Sequence, residues 1–309
     1  MLVFIIIVAV VAVGALVGLF AAYSKTFYSP KKYMSETESP KIISRHPYHK
    51  ELNANTQKMI DIPWEFITTR SYDRLTLSAR YYAGDDDKPL FICFHGYRGS
   101  AVRDFSGIGS FLIREKYPVI IVDERAHWRS GGHTITFGIR ERYDVISWIE
   151  YANSRFGEDK PICLCGISMG GGTVLMASGL QLPQNVKAII ADCPFNDPED
   201  IIRHVCRILK LNPSLCWPAI KLSALIYGRF NINKTTAAKE VKKSTKPILI
   251  IHGEDDNFVP GYMSAEVQQA NPDMVEYRLI PKAGHGMSYY YATQEYEEIF
   301  TDFVNRNVK

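Results

Sequence analysis

The sequence lacks the motifs that mark several large classes of protein. It contains no P-loop, no dinucleotide-binding glycine fingerprint and no ligand spacing typical of zinc sites, so we expect neither a metal ion nor a bound cofactor. The net charge is also small, since 36 Lys and Arg against 33 Asp and Glu give a formal charge of +3. This charge is too small to indicate a nucleic-acid partner. With 46% hydrophobic and 22% charged residues, the composition excludes collagen-like and wholly disordered chains.

Charge is missing altogether from Leu2 to Ala22. Fourteen of these 21 residues are Leu, Ile, Val or Phe, and a helix that rises 1.5 Å per residue would match a hydrocarbon core about 30 Å thick. We therefore predict a transmembrane helix over residues 2–22. The alternative is a cleaved secretory signal, but its apolar core spans only about 7–15 residues and follows a basic segment, which this sequence does not show.

Basic residues appear directly after this apolar stretch. Between Lys25 and Lys50 there are six Lys or Arg and two acids, and we predict a juxtamembrane tether over residues 23–60. Since positive residues favour the cytoplasmic side, we expect a single-pass membrane protein whose C-terminal body is cytoplasmic. Six cysteines fit that compartment if they are unpaired, although their even number also permits disulfides in an exported protein.

The body of the chain alternates short β-rich runs with helical patterns. The first two runs predict an antiparallel pair. The middle runs are continuous and apolar, which is typical of strands buried on both faces of a parallel sheet. The predicted strands cover residues 66–70, 75–82, 89–94, 119–122, 162–165, 186–191, 247–251 and 276–280. The predicted helices lie around residues 101–115, 137–156, 169–180, 263–270 and 291–306. This alternation predicts one doubly wound α/β domain over residues 61–309.

Residues 196–242 interrupt the alternation between two strands. They include a basic amphipathic helix around residues 201–210 and a second apolar stretch from Trp217 to Phe230. We interpret this insertion as a cap packed over the sheet edge. A mobile lid that covers a pocket or touches a membrane surface is the other interpretation.

One motif carries chemistry. Gly166-Ile167-Ser168-Met169-Gly170 follows a predicted strand and opens a predicted helix. This G-x-S-x-G pattern holds a serine on a sharp strand-to-helix turn, where the flanking glycines permit close backbone packing and the hydroxyl stands clear of the sheet. A serine hydroxyl needs a histidine base to act as a nucleophile, and a carboxylate must orient that base.

Two downstream loops contain the partners that such a serine needs. The run His252-Gly253-Glu254-Asp255-Asp256 ends one strand, and Ala283-Gly284-His285-Gly286 follows the next. In this order of serine, acid and histidine, and in its H-G-x-x-D-x-x-V-P loop, the sequence resembles the α/β-hydrolase superfamily over roughly residues 60–309. The likeness is closest to serine esterases, lipases and thioesterases, and some similar bacterial proteins carry an N-terminal membrane segment.

The resemblance implies a mostly parallel central sheet flanked by helices, with residues 196–242 as the cap or lid. It also implies that Ser168 is the nucleophile, Asp256 the acid and His285 the base. Glu254 and Asp255 are rival carboxylates in the acid loop. For His95 and His252, which lie at strand ends, we expect structural roles.

Two further loops match the family in part. His95-Gly96-Tyr97-Arg98-Gly99 resembles the oxyanion loop, which implies that the main-chain amides of Tyr97 and Met169 bind the oxyanion. For Arg98 we expect an exposed salt bridge, with contact to a polar or anionic group as the alternative. The turn at residues 123–130 resembles D-x-R-G-H-G-x-S, but Ala126 and Trp128 replace both glycines. Trp128 is therefore a candidate to shape the pocket or to cover the turn.

Together these residues predict a membrane-anchored serine hydrolase. We expect it to cleave carboxylic ester or thioester bonds of small acyl substrates, lipids included, through an acyl-enzyme on Ser168 and without a cofactor. A serine peptidase of the prolyl-aminopeptidase type is the first alternative, and it would need an acidic pocket for a free amine. A non-catalytic binding module with the same fold is the second, which the complete set of three residues disfavours.

Overall fold

Eight strands form one sheet in the computed structural model, which describes residues 1–30 and 47–308. The strands are β1 (Glu65–Arg70), β2 (Thr76–Tyr82), β3 (Leu90–Phe94), β4 (Val119–Asp123), β5 (Ile162–Ile167), β6 (Val186–Asp192), β7 (Ile248–Gly253) and β8 (Val275–Ile280). Their order is β1-β2-β4-β3-β5-β6-β7-β8, with β2 antiparallel to both neighbours and every other neighbouring pair parallel. The predicted antiparallel opening and parallel centre are confirmed.

Helices cover both faces of this sheet. They are α1 (Leu2–Thr26), α2 (His49–Asp61), α3 (Ala101–Asp104), α4 (Ile108–Arg114), α5 (Glu141–Phe156), α6 (Met169–Ala177), α7 (Pro198–Ile208), α8 (Pro213–Ile226), α9 (Ala237–Val241), α10 (Tyr262–Ala270), α11 (Ser288–Tyr291) and α12 (Thr293–Asn307). All residues of β3 and β4 are buried, and neighbours along β3 point to opposite faces: Ile92 joins one apolar core and Phe91 the other. The α/β architecture predicted from the apolar runs is confirmed.

Segment 196–242 folds as helices α7, α8 and α9, inserted between β6 and β7. Asp197 caps α7 by accepting a hydrogen bond from the Glu199 amide, and Asn212 caps α8 through the Ser214 amide. Trp217 and Ile220 turn the inner face of α8 into the core. This cap region stands beside the carboxyl ends of the central strands, where the site described below lies.

The N-terminal helix α1 is one turn longer than predicted. Within it, Phe4–Thr26 is long and apolar enough to cross a membrane, and this is the helix of the described residues that meets that test. Its apolar side chains are exposed over most of the length, but Tyr23 at its last turn and Phe27 just after it are buried in the core. Helix α1 thus begins with exposed apolar turns, and its end packs into the core of the domain.

Several contacts hold the end of α1. The Tyr227 hydroxyl donates to the Leu16 carbonyl at 2.9 Å, and Phe27 meets the ring of Phe230 edge-on at 5.3 Å. Among residues 1–30 and 47–308, Arg98 has no acidic partner for the exposed salt bridge expected of it. Its guanidinium donates to the carbonyl oxygens of Lys25 (3.0 Å) and Tyr28 (2.9 Å), so it satisfies carbonyls that the end of a helix leaves unpaired.

The tether predicted over residues 23–60 is wrong at its two described ends. Residues 23–30 pack against the domain, and the second half contains α2, whose buried Leu52, Thr56 and Met59 recur on one helical face. The prediction missed this stripe because it is only three residues long in a polar segment. The middle of the predicted tether, residues 31–46, lies outside the described residues.

Because the end of α1 packs in the core, we expect a substitution at Phe27, just after this helix, to lower the free energy of unfolding. Replacing the buried Phe27 with Ala (Phe27→Ala) should lower the free energy of unfolding by about 3–5 kcal/mol, because a full aromatic side chain leaves the core. Urea and thermal unfolding of the full chain in detergent micelles measure this change. The exposed Phe4→Ala is the matched control and should have little effect; equal, small effects would mean that residue 27 is only a linker.

Candidate active site

Ser168 lies on a strained turn between β5 and α6, as the motif predicts. Its backbone has φ 56° and ψ −114°, and its amide donates to the Asp192 carbonyl at 2.8 Å. A Cβ on Gly166 would lie 2.2 Å from the Gly170 carbonyl oxygen, and one on Gly170 would lie 1.9 Å from the Phe94 carbonyl oxygen. Both glycines are therefore needed for the turn to pack against its neighbours.

The structure brings Ser168, His285 and Asp256 into one hydrogen-bonded chain, although 117 residues separate the first two. His285 Nε2 lies 2.9 Å from the Ser168 Oγ, and His285 Nδ1 lies 2.7 Å from Asp256 Oδ2. With the proton on Nδ1, the imidazole donates to the carboxylate and presents Nε2 as an acceptor to the serine hydroxyl. This is the geometry in which a histidine can take the proton of a serine nucleophile.

Asp256 is built to remain ionised. Burial alone would raise its pKa, but the neighbouring His285 and His252 and the Val259 amide hold the pKa well below its ordinary value of 3.8. The second carboxylate oxygen, Oδ1, accepts from the amides of Phe258 (2.9 Å) and Val259 (2.8 Å). The rival carboxylates at positions 254 and 255 are exposed, so the geometry favours Asp256 as the partner of His285.

His252 is a second imidazole on Asp256, and it has the structural role expected of it. Its Nε2 lies 2.9 Å from the Val259 carbonyl oxygen and 3.3 Å from Asp256 Oδ2, while Nδ1 lies 2.7 Å from the Ser264 hydroxyl. Through these contacts with Val259 and Asp256, His252 holds the acid loop in place. The sequence offset of four residues between His252 and Asp256 is the only signal that pointed to this contact.

Two residues near the site, Asp192 at the end of β6 and Cys193 after it, belong to none of the predicted motifs. The Asp192 carboxylate accepts from the Tyr296 hydroxyl at 3.0 Å, and burial raises the pKa of Asp192 to about 6. Burial also raises the pKa of the Cys193 thiol well above its ordinary value of 9, so this thiol is protonated and a poor nucleophile. The Cys193 sulfur lies within 4.8 Å of donor atoms on Asp256 and His285, a spacing that could hold a metal ion, but these two residues already bond to each other. For Asp192 and Cys193, the only signal in the sequence was their position at the carboxyl edge of the sheet.

The expected oxyanion loop lies against the nucleophile. A Cβ built on Gly96 would come within 3.4 Å of the Ser168 Cβ, and the Gly96 amide is already bound to Asp104 Oδ2 at 2.9 Å. Among the backbone hydrogen bonds of residues 1–30 and 47–308, none uses the amide of Tyr97 or of Met169 as donor. Within this part of the chain, both predicted oxyanion donors are therefore available to bind a ligand.

Two buried histidines tie this loop to the turn at residues 123–130. His95 Nε2 accepts from the Glu124 amide at 3.1 Å, and His127 Nε2 accepts from the Arg98 amide at 3.0 Å. In both rings Nδ1 lies 2.8 Å from a carbonyl oxygen of a neighbouring residue, which assigns the proton to Nδ1. Burial lowers the pKa of both, that of His127 further, so both rings are neutral and can accept.

The same turn explains the two missing glycines. Ala126 has φ 65° and Trp128 has φ 39°, so both occupy the left-handed region that favours glycine. Trp128 is half-buried and lines neither of the cavities described next. Of its two predicted roles, covering the turn therefore fits the structure and shaping the pocket does not.

Two cavities meet at Ser168. The larger has a volume of about 460 Å³ and is lined almost entirely by apolar side chains from the cap and the end of α1, among them Ile202, Val205 and Ile220. The smaller has a volume of about 180 Å³ and contains polar groups, including those of Arg98 and Ser106. A substrate spanning both would place its reacting bond at the serine.

Comparison with known proteins identifies the family. Residues 25–226 match the X-Pro dipeptidyl-peptidase (S15 family). The chain belongs to this family. The S15 match includes Ser168 and ends before Asp256 and His285.

This S15-family chain also has relatives over most of its length. It is 22% identical over 298 residues to the uncharacterized Bacillus subtilis protein YqkD, covering 95% of this chain and 96% of that protein. It is 24% identical to the human protein ABHD12B over 77% of this chain and 65% of that protein. The Pyrococcus furiosus esterase Pf2001 superposes with a TM-score of 0.62 at 22% identity, covering 82% of this chain and 94% of that one. The protein is thus a hydrolase with the α/β-hydrolase fold.

Replacing Asp256 with Asn tests the hydrogen-bonded chain. Asn keeps an oxygen for the Phe258 and Val259 amides, but it removes the negative charge from His285, so the fold should persist while kcat falls by about 10⁴-fold. Kinetics on a soluble ester and thermal unfolding measure the two effects. Glu254→Gln, in the exposed part of the same loop, is the control and should leave kcat nearly unchanged. An equal fall in kcat in the two variants would contradict the assignment of Asp256 as the acid.

The two neutral histidines predict a pH dependence of stability. Because their pKa values are lower in the folded than in the unfolded chain, the unfolded chain gains protons first, and stability should fall as the pH drops below about 6.5. Each histidine contributes up to about 1.4 kcal/mol per pH unit. In His127→Gln the amide oxygen can still accept from the Arg98 amide but does not titrate. Urea unfolding between pH 7.5 and 5 should therefore show a shallower slope in this variant, and an unchanged slope would contradict the assignment.

Proposed function

We propose that this protein is a serine hydrolase that cleaves carboxylic ester or thioester bonds of acyl substrates. The observation that carries the proposal is the position of Ser168, in reach of His285 and at the junction of an apolar and a polar cavity. A cavity of about 460 Å³ lies within the range usual for small-molecule sites. Its apolar lining suits an acyl chain, and the smaller polar cavity suits the leaving group.

The reaction then proceeds in two halves. His285 Nε2 takes the hydroxyl proton as Ser168 Oγ attacks the acyl carbonyl, and the buried Asp256 stabilises the imidazolium that forms. The free amides of Tyr97 and Met169 bind the oxyanion; one such donor lowers the barrier by about 2.7–4 kcal/mol. His285 returns the proton to the leaving group, and water activated by the same ring releases the acid.

A peptidase acting on a free amino terminus is the second candidate, since the family name denotes such an activity. It needs a carboxylate to pair with the substrate amine. Among the described residues that line the two cavities, Asp104 is the only carboxylate. Asp104 already pairs with Arg103 at 3.1 Å and accepts from the Gly96 amide. This arrangement favours acyl substrates over amino-terminal peptides.

We also propose that α1 anchors the enzyme in a membrane with the catalytic domain on the cytoplasmic side. The length and composition of the helix support the anchor, and the basic residues after it support the orientation. All six cysteines are free of disulfides, which agrees with a reducing compartment.

A substrate panel tests the reaction class. We expect p-nitrophenyl esters of medium and long acyl chains to be hydrolysed with higher kcat/KM than the acetate, because the apolar cavity binds the chain. Acyl-CoA thioesters separate thioesterase from esterase activity, and aminoacyl-prolyl anilides report peptidase activity.

The Ser168→Ala variant should lose about 10⁴-fold or more in kcat on every substrate while unfolding at an unchanged temperature. Faster cleavage of prolyl anilides than of any ester would reverse the order of the two candidates. Unchanged turnover in Ser168→Ala would refute the nucleophile assignment.

A further inference from the structure

Helix α1 forms part of the wall of the apolar cavity. Ala21, Ala22, Lys25 and Thr26, from its last two turns, line the cavity together with the cap helices α7 and α8. The same turns are fixed by hydrogen bonds from Tyr97 and Arg98 to the α1 carbonyls. The apolar helix and the candidate active site are therefore one structural unit.

The length of α1 determines how deep this unit lies. The cap already contacts α1 at Leu16, whose carbonyl accepts a hydrogen bond from the Tyr227 hydroxyl. From Leu2 to Leu16 a helix spans about 21 Å, whereas a hydrocarbon core is about 30 Å thick. A spanning α1 must therefore keep its next six or so residues in the hydrocarbon as well, and any tilt increases that number. Whatever packs on those residues lies at membrane depth.

The cap packs on them and presents an apolar outer face there. Phe20 meets the ring of Tyr227, just after α8, edge-on at 5.4 Å. In the last turns of α8, Leu222 and Leu225 are 45% and 47% exposed, and Ile226 beside them is also exposed. Exposed leucines at the end of a soluble cap would be costly, but next to a spanning helix they meet lipid.

The charges around this face suit a membrane. From residue 201 to residue 230 the chain has five Lys or Arg and no Asp or Glu. Of these, Arg207, Lys210, Lys221 and Arg229 are exposed on the cap. Basic side chains of this kind reach from an apolar face to anionic headgroups.

Some residues that line the cavity are also exposed. Leu209 and Leu211, between α7 and α8, line the cavity and are 63% and 49% exposed, and Ala21 on α1 lines it and is exposed too. Ala21 is about 29 Å along the helix from Leu2, so it falls where hydrocarbon meets headgroups. The acyl ester bond of a membrane lipid lies at that same boundary.

We propose that the outer face of α8 is seated in the bilayer and that the apolar cavity opens into it, so that the enzyme draws an acyl lipid sideways from the membrane. This face is called the bilayer face below and consists of Leu222, Leu225 and Ile226. The proposal deepens the proposed function and rests on it for the chemistry. Its occupant is the lipid bilayer, because the face continues the surface of α1.

Two esters with the same leaving group distinguish uptake of the substrate from the membrane from the catalytic step itself. p-Nitrophenyl palmitate is dissolved in vesicles of phosphatidylcholine with one-fifth phosphatidylglycerol that contain the full chain, and p-nitrophenyl butyrate is supplied in water. The double variant Leu222→Glu/Leu225→Glu should lose about tenfold or more on palmitate, since a charge in the hydrocarbon is strongly unfavourable. Its rate on butyrate should stay within about twofold, because neither residue lines a cavity.

The matched control is Leu279→Glu, on the outermost strand β8. Leu279 is 48% exposed, close to the 45% and 47% of the two cap leucines, and it belongs to neither cavity. This variant should behave as the wild type on both esters. An equal loss of palmitate hydrolysis in the control, or none in the cap variant, would overturn the proposal.

A direct measurement keeps the two proposals distinguishable. In a Cys216→Ala background, a nitrobenzoxadiazole label on Leu225→Cys should be quenched by doxyl-labelled phosphatidylcholine, whereas a label on Leu279→Cys should not. Equal quenching at the two positions would refute the bilayer face even if both esters are hydrolysed. Failure of the wild type to hydrolyse both p-nitrophenyl esters and the acyl-CoA thioesters would refute the proposed function, and the quenching result would still decide where the cap lies.

Discussion

The strained turn at Ser168 is the constraint on which the rest of the site depends. Positive φ at a serine persists only because its amide is bound to the Asp192 carbonyl and because Gly166 and Gly170 allow backbone to pack directly on backbone. Since the strands are parallel, their carboxyl ends bring the acid loop and the histidine loop to the same edge. The sheet thus provides a rigid frame, and the loops at its edge supply the chemistry.

A second constraint comes from the end of α1. Its final turns enter the core through Tyr23 and Phe27, and they accept hydrogen bonds from Tyr97 and Arg98. The loop that contains Tyr97 and Arg98 is therefore held on one side by a helix and on the other by the neutral His127. This arrangement couples the position of the apolar helix to the geometry of the site.

The parts of the structure that were predictable have local signals. Short β-rich runs located all eight strands, and G-x-S-x-G located the turn at Ser168. The offset from His252-Gly253 picked Asp256 from three carboxylates, and the structure bonds that one to His285. The parts that were missed depend on contacts far apart in the chain. Arg98 binds carbonyls about 70 residues earlier, and no pattern around it distinguishes this role from a surface salt bridge.

Covalent labelling can show whether His285 activates Ser168 as a nucleophile. A fluorophosphonate reacts with a serine only when that serine is activated, and peptide mapping locates the adduct. We expect one adduct per folded chain, on the peptide that contains Ser168, and none in Ser168→Ala. A folded wild type that stays unlabelled, or a Ser168→Ala variant labelled to the same extent, would contradict this assignment.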